Sequence, residues 1–401
     1  MFIAMVGKPS SGKSTFFKSA TLAEAEIANY PFTTIKPNHG TGYVQIPDIA
    51  KEFGKKANPR EGYVIDDIRF VPVDMMDIAG LVPGAHEGLG MGSQFLDDIR
   101  QADALVHVID ISGSVNEKGE PCGLGNYDPL NDVEFLEVEL DYWYKGILEK
   151  GWDRFARTVK QSKESIVKAI AKQVSAFKVT EDMVNDAVHK LKLSEEDPTT
   201  WQDSDLLHLA KELRLKTKPM VLACNKIDTG AVAIKNFERL KEKYGQTHIV
   251  IHASSECELV LRSAAKAGII KYIPGHNNFE ILTPDKLSDK QKLALDFIKK
   301  NVLDVHGSTG VQECLNIAVF KLLGYIAIHP GGTKKLEDSH GNVIPDCFLM
   351  PKGTTALDFA FRLHTDFGTH FVKAIDVRTK MPIGRDTPLK DLDIVEIMSN
   401  K

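Results

Sequence analysis

No apolar run in this chain approaches the ~18 residues that a membrane-spanning helix needs. The N-terminal apolar run is short and ends in a glycine-containing loop, so it does not read as a secretory signal. Cysteine is sparse as well: Cys122, Cys224, Cys257, Cys314 and Cys347 form an odd, scattered set with no Cys-x-x-Cys pair. That spacing speaks against a zinc site or a disulfide framework and fits a reducing compartment. A cytosolic protein with no membrane partner is the expectation. Charge of one sign is also missing, because 50 Lys+Arg against 55 Asp+Glu leaves −5. Such a chain is no general polyanion binder, so contact with nucleic acid requires a local patch, and no DNA partner is expected. The 401 residues leave room for two or three domains, each with its own core.

What is present is concentrated at the start. The apolar run Phe2-Ile3-Ala4-Met5-Val6 passes directly into Gly7-Lys8-Pro9-Ser10-Ser11-Gly12-Lys13-Ser14-Thr15, the Gly-x-x-x-x-Gly-Lys-Ser pattern of a phosphate-binding loop. A buried strand, a loop and a helix start follow one another in the order that pattern requires. Gly7 and Gly12 permit backbone angles that a Cβ would penalise, so successive N–H groups can curl around a phosphate. The helix N-terminus adds partial positive charge. Lys13 would reach the β- and γ-phosphates, and the Ser14 hydroxyl would ligate Mg²⁺. A nucleoside triphosphate is the expected ligand.

Residues 29–40, rich in proline and polar side chains, read as a loop. A threonine there can give its hydroxyl to Mg²⁺ and its N–H to the γ-phosphate; Thr34 takes that role in this reading. The strand 68–76 leads into Asp77-Ile78-Ala79-Gly80, where a carboxylate can hold Mg²⁺ through water and Gly80 can donate its N–H to the γ-phosphate. Glycines then crowd residues 84–92, and His86 among them is either a surface histidine or a group that swings toward the phosphates. Far downstream, the strand 219–224 ends in Asn225-Lys226-Ile227-Asp228. A carboxylate only accepts hydrogen bonds, so Asp228 can take both the ring N–H and the amine of guanine, a donor pair adenine lacks. Asn225 would help bind the base edge, with the Lys226 stem against the ring. A further strand, 249–252, precedes Ser254-Ser255-Glu256, whose backbone can contact the base.

Together these segments resemble the five motifs of a translation-factor-type GTPase. Tyr30-Pro31-Phe32-Thr33-Thr34 and Gly84-Ala85-His86-Glu87-Gly88 are similar to the Obg family in particular. Between residues 131 and 215, Trp152, Phe155, Val159, Ile166, Ile170, Val174 and Phe177 recur at helical spacing and predict one long amphipathic helix. Arg154, Arg157, Lys168 and Lys172 gather opposite the apolar stripe, read first as a solvated face and second as an RNA contact. The resemblance implies a helical, coiled-coil-like arm of the YchF-like branch. From about Lys321 short strands, turns and the capped helix 356–364 take over, similar to a TGS domain, a β-grasp module; that likeness implies contact with RNA or the ribosome. His364 reads as a packed helix-end histidine.

The expected architecture is therefore α/β: a P-loop GTPase domain (1–130 and 216–320), a helical insertion (131–215) and a C-terminal β-grasp domain (321–401). The expected activity is a GTP-hydrolysing switch acting in ribosome function or assembly, with GTP/GDP and Mg²⁺ as ligands and an unidentified activator. Leu81 stands where many GTPases place a water-orienting glutamine, so intrinsic hydrolysis should be slow. Some relatives with that substitution use K⁺ held by a P-loop asparagine, and the matching residue here is Ser10. Three alternatives stay open. An ATPase would follow from a base pocket that prefers adenine, a metabolic kinase would need an acceptor pocket and lid, and a ribosome-docking module would bind nucleotide with little catalysis.

Overall fold

The computed structural model describes residues 1–22, 39–78, 80 and 98–400. Strand β1 (Phe2–Val6) lies inside a seven-stranded sheet, flanked on both sides by parallel neighbours. With β2 (His39–Pro47), β3 (Tyr63–Ile65), β4 (Ile68–Asp77), β5 (Ala104–Asp110), β6 (Met220–Asn225) and β7 (Ile249–His252), the order is β2-β4-β1-β5-β6-β7, and β3 pairs β4. Strand β2 alone on that path runs antiparallel to its neighbour, from His39 opposite Met76 to Pro47 opposite Ile68. The inner strands are apolar on both faces because helices cover both. Ala4, Val6, Leu105, Ile109 and Leu222 pack with Val133, Leu136 and Leu140 of α2 (Leu130–Glu149). On the other face Ile3, Met5, Val106 and Val221 meet Phe16 and Ala20 of α1 (Lys13–Thr21). Ligands of such sheets bind beyond the carboxyl ends of the strands, and four of the five nucleotide motifs, those after β1, β4, β6 and β7, follow such ends.

Helix α2 serves two cores. Its first half closes the sheet, whereas Tyr144 and Leu148 enter a second cluster with Trp152, Ile170, Val188, Leu209 and Leu213. The single long helix predicted from Trp152 to Phe177 is not formed. The chain makes α3 (Trp152–Ser162), α4 (Ile166–Gln173) and a 3₁₀ turn, Ser175–Phe177. Lys163 turns left-handed (φ 57°), and Ser165 caps the next helix by accepting the Lys168 N–H. The polar stretch Ser162–Ser165 thus folds the apolar stripe back on itself into a compact bundle. Next come α5 (Glu181–Leu191), a 3₁₀ turn begun by Pro198 and α6 (Asp203–Thr217). Buried Arg214 fastens α6 to α2, its Nε 2.6 Å from Asp141 Oδ1 and its Nη2 3.0 Å from Glu137 Oε1.

The chain then returns through β6, α7 (Ala231–Tyr244), β7 and α8 (Ser255–Lys266), with the short hairpin β8 (Ile270–Tyr272) and β9 (Phe279–Ile281) after them. The C-terminal sheet has the order β11-β10-β14-β12-β13, with β10 (Tyr325–Pro330), β11 (Phe348–Pro351), β12 (Phe371–Asp376), β13 (Pro382–Ile383) and β14 (Ile394–Ser399). The helix Ala356–Leu363 begins with a capping box between Thr355 and Asp358 and packs Ala356 and Phe359 on that sheet. This module sits against the β2–β4 hairpin. The Arg69 guanidinium, 1% exposed, donates to the carbonyls of Ile344 (2.7 Å) and Pro345 (2.9 Å), and Arg378 grips Glu52 with two bonds of 2.6 and 2.9 Å. His364 ends its helix as expected but is not packed. Its side chain is 64% exposed and accepts the Asp366 N–H, capping the next short helix.

Candidate functional site

The loop between β1 and α1 has the backbone that its sequence demands. Gly7 (φ 142°) and Gly12 (φ 95°) lie in the left-handed half of backbone space, and Ser10 joins them at 61°. Space excludes a side chain as firmly as angle does: a Cβ on Gly7 would stand 2.5 Å from the Val108 carbonyl, and one on Gly12 2.2 Å from Asn225 Nδ2. Lys13 opens α1 and is almost fully buried, its ammonium 2.7 Å from the Lys8 carbonyl across the loop. Burial lowers its pKa to about 8, against the opposing charge of Asp77. An anionic phosphate in the loop would reverse that shift.

Ser14 Oγ donates to Asp77 Oδ2 at 2.7 Å, joining the P-loop helix to the end of β4. Hard oxygen donors of this kind suit Mg²⁺, which keeps much of its water and binds through few protein groups. Gly80 completes this side of the loop, where a Cβ would meet the Pro9 nitrogen at 2.8 Å. Thr34, Leu81 and His86 lie outside the described residues.

On the base side, Asn225 is a buried bracket. Its Nδ2 donates to the Ser11 carbonyl and its Oδ1 accepts the Ser255 N–H, both at 3.0 Å. Lys226 (φ 66°) reaches across to the Ser10 carbonyl at 3.1 Å and pairs with Asp110 Oδ2 at 3.1 Å. Burial raises the Asp110 pKa, but bonds from Ser112 and Ser114 and the Lys226 charge outweigh it and keep the carboxyl below its usual range. Ser254 Oγ holds Asp228 Oδ1 at 2.6 Å, which aims the carboxylate, and α8 starts at Ser255. Glu256 is exposed in the first turn of that helix, and Thr15 is half-buried in the first turn of α1. Two buried hydroxyls, Ser11 Oγ and Ser255 Oγ, have no hydrogen-bond partner among the described residues. Unpaired buried polar atoms on the loop and on the facing motif suit a site built for a polar ligand.

Lys8 was placed among the nucleotide-binding residues, but its side chain turns away from the loop interior. Its Nζ donates to the Val115 carbonyl (2.9 Å), pairs with Asp132 (3.0 Å) and lies 3.7 Å from the Tyr127 ring centre. Only its main chain is left for a phosphate. Burial raises the Asp132 pKa to about 6, opposed by the Lys8 charge and by bonds from Lys8 and Tyr127. This clamp was missed from sequence, as were Asp110, Ser112 and Ser114. Asp110 was visible as a strand-end carboxylate, whereas nothing in the spacing marks residues 112–132.

Comparison with known proteins agrees with this geometry. Residues 2–134 match the family model described as 50S ribosome-binding GTPase. Residues 223–331 match the G4 motif-containing domain of Obg-like GTPase YGR210-like, and residues 333–399 match the TGS domain. The uncharacterized GTP-binding protein MJ1332 of Methanocaldococcus jannaschii is 48% identical over 398 residues, covering 99% of this chain and 98% of the relative. The ribosome-binding ATPase YchF of Mycoplasma genitalium is 34% identical, with 92% of this chain and 86% of the relative covered. The crystal structure of a GTP binding protein from Pyrococcus horikoshii OT3 superposes with a TM-score of 0.79 at 42% identity, covering 100% of both chains. With its phosphate loop, its base bracket and its TGS module in these positions, the chain belongs to the Obg-like, YchF-type family of P-loop GTPases, which are nucleoside-triphosphate hydrolases.

Proposed function

We propose that this chain binds GTP with Mg²⁺, hydrolyses it slowly, and uses the two nucleotide states to control association with the ribosome or ribosomal RNA in the cytoplasm. The observation that carries the guanine reading is the Asp228 carboxylate, oriented by Ser254 at 2.6 Å and joined to the phosphate loop through Asn225. Relatives named as ATPases make adenine the second reading, and an intact acceptor-only Asp228 favours guanine. The proposed divisions are a GTPase domain over 1–130 and 216–320, an insertion over 131–215 and a β-grasp domain over 321–401.

In this reading the loop N–H groups and Lys13 hold the β- and γ-phosphates. Ser14, Asp77 and Thr34 would hold Mg²⁺, which neutralises phosphate charge when bound. A water oxygen bonds to the γ-phosphorus as the bond to the bridging β–γ oxygen breaks. That oxygen keeps the electron pair, and the water proton leaves with inorganic phosphate. Gly80 donates its N–H to the γ-phosphate. Leu81 offers no hydrogen bond to the water, and Ser10 carries no amide oxygen for K⁺, so the rate alone should sit at or below ~10⁻³ s⁻¹. A partner, with the ribosome as first candidate, supplies acceleration. Arg154, Arg157, Lys168 and Lys172 are all exposed, on α3 and α4 of the inserted bundle. The test is co-sedimentation with ribosomes in GDP and in a non-hydrolysable GTP analogue, alongside GTP and ATP affinities. State-dependent pelleting with GTP preferred supports the reading, and equal affinities with no pelleting in either state overturn it.

A further inference from the structure

The turn that follows β5 lies on the phosphate loop at Pro9, the residue that Gly80 also approaches. Residues 115–121 form a tight hairpin: Val115 bridges Pro121, and Asn116 Oδ1 accepts the N–H groups of Lys118 and Glu120, both at 3.0 Å. The Gly119 N–H donates to the Asn116 carbonyl at 3.0 Å, closing the turn. Lys8 then ties it to the loop through the Val115 carbonyl and Asp132.

Gly119 makes the approach close. It adopts φ 81°, and a Cβ there would stand 2.6 Å from Pro9 Cβ and 2.8 Å from the Pro9 carbonyl oxygen. Gly80, the expected γ-phosphate donor, packs on the same residue: a Cβ there would stand 2.8 Å from the Pro9 nitrogen. Pro9 is therefore gripped between Gly80, just beyond the end of β4, and the 115–121 turn, with glycine at both contacts because nothing larger fits. Lys118, next to Gly119, is the only cation in the turn. It is exposed and has no ion pair among the described residues.

A buried or paired lysine would be structural, and this one is neither. Its flexible stem carries a compact, strongly hydrated charge with three donors. A turn fixed this firmly could present that charge to the phosphates at little conformational cost. Charge develops over the oxygens of the transferring phosphoryl group and on the bridging oxygen, and a cation brought in there by a partner is worth about 10³–10⁵-fold in rate. We propose that Lys118 is an intramolecular counter-charge, a catalytic residue that contacts the triphosphate from the turn packed on Pro9. It stabilises developing negative charge and does not orient the water, so it leaves the rate short of that of an assisted enzyme. This inference rests on the hydrolase reading given above.

The full chain with Lys118→Ala, Lys118→Arg and Gly119→Ala would be compared with the unaltered protein in single-turnover GTP hydrolysis. Affinity would be measured separately with a fluorescent GTP analogue. Lys118→Ala should slow hydrolysis about tenfold or more with affinity held within about threefold, and Lys118→Arg should keep most of the rate. Gly119→Ala should reproduce the loss by pushing the turn off Pro9. Lys118→Ala turning over within about twofold of the unaltered chain overturns the proposal and leaves the hydrolase reading intact. If the unaltered chain binds nucleotide but hydrolyses neither GTP nor ATP, the hydrolase reading fails and the proposal falls with it.

Discussion

Asn225 Nδ2 donates to the Ser11 carbonyl at 3.0 Å while its Oδ1 accepts the Ser255 N–H at the same distance. One amide thus joins the phosphate loop, the base motif on β6 and the start of α8, and a base-edge residue becomes part of the phosphate cradle. Asn225→Asp keeps the acceptor but removes the donor, setting a carboxylate against a carbonyl. Binding should weaken for the nucleotide as a whole: GTP and inorganic pyrophosphate should both lose about tenfold or more in calorimetric affinity, roughly 1.4 kcal/mol. Loss for GTP with pyrophosphate unchanged would confine Asn225 to the base.

Asp228 should behave differently because it touches only the base side. GTP should bind at least about tenfold better than ATP. Asp228→Asn should weaken GTP and strengthen xanthosine triphosphate, whose ring carries a carbonyl where guanine has its amine. Competition with a fluorescent nucleotide reads both, and equal GTP and ATP affinity in the unaltered chain would defeat the guanine assignment.

The site was legible in sequence where backbone chemistry dictates residue type. Gly7, Gly12, Lys13, Ser14, Asp77 and Asn225 are residue types that angle, charge or donor count constrains, and bonds within the chain tie the phosphate loop to Asp77 and Asn225. The clamp of Lys8, Tyr127 and Asp132 was not legible, because Lys8 stands 119 or more positions from both partners and such a pairing leaves no local period. Helix lengths in the insertion failed for a related reason. An apolar stripe records which face is buried, not whether a polar link such as Ser162–Ser165 folds that face back on itself. The buried Arg69 at the β-grasp junction gave no signal either, since its partners are backbone carbonyls.

Lys13 gives binding a pH signature. Its pKa is lowered from the ordinary lysine value to about 8 by burial, with Asp77 opposing. Phosphate favours the charged form, so the bound pKa is higher than the free one. The free protein loses this proton as pH rises through about 8, whereas the complex retains it. Nucleotide affinity should therefore fall with rising pH above that point, and binding should take up protons. Calorimetry of GDP in buffers of different ionisation enthalpy should show uptake growing from pH 7 to 8.5, and Lys13→Arg should remove it. A buffer-independent heat at pH 8.5 would place the Lys13 titration outside this range.

A buried charge network behind the base motif sets the last expectation. Glu258 and Arg262 are one helical turn apart on α8 and virtually inaccessible, with Arg262 Nε 2.5 Å from Glu258 Oε1. Tyr272 and Thr309 donate to the second carboxylate oxygen at 2.7 and 2.5 Å, and Arg262 also reaches Gln312 Oε1 at 3.0 Å. The same guanidinium faces the carbonyls of Ala20 and Leu22 at the end of α1, at 3.5 and 3.4 Å. Replacing the whole network with apolar residues could be nearly neutral, but removing one partner strands the other charge without water. Arg262→Met should lower unfolding stability by about 3–5 kcal/mol, read from denaturant midpoints at constant slope. Tyr272→Phe removes one donor of several and should cost about 1–3 kcal/mol. Adding Glu258→Gln to Arg262→Met should restore part of the loss, since no unpaired charge then remains. If the double variant were less stable than Arg262→Met by the full cost of another lost contact, the penalty would come from packing, and the pairing of Glu258 with Arg262 would not be what holds α8 against the phosphate-loop helix.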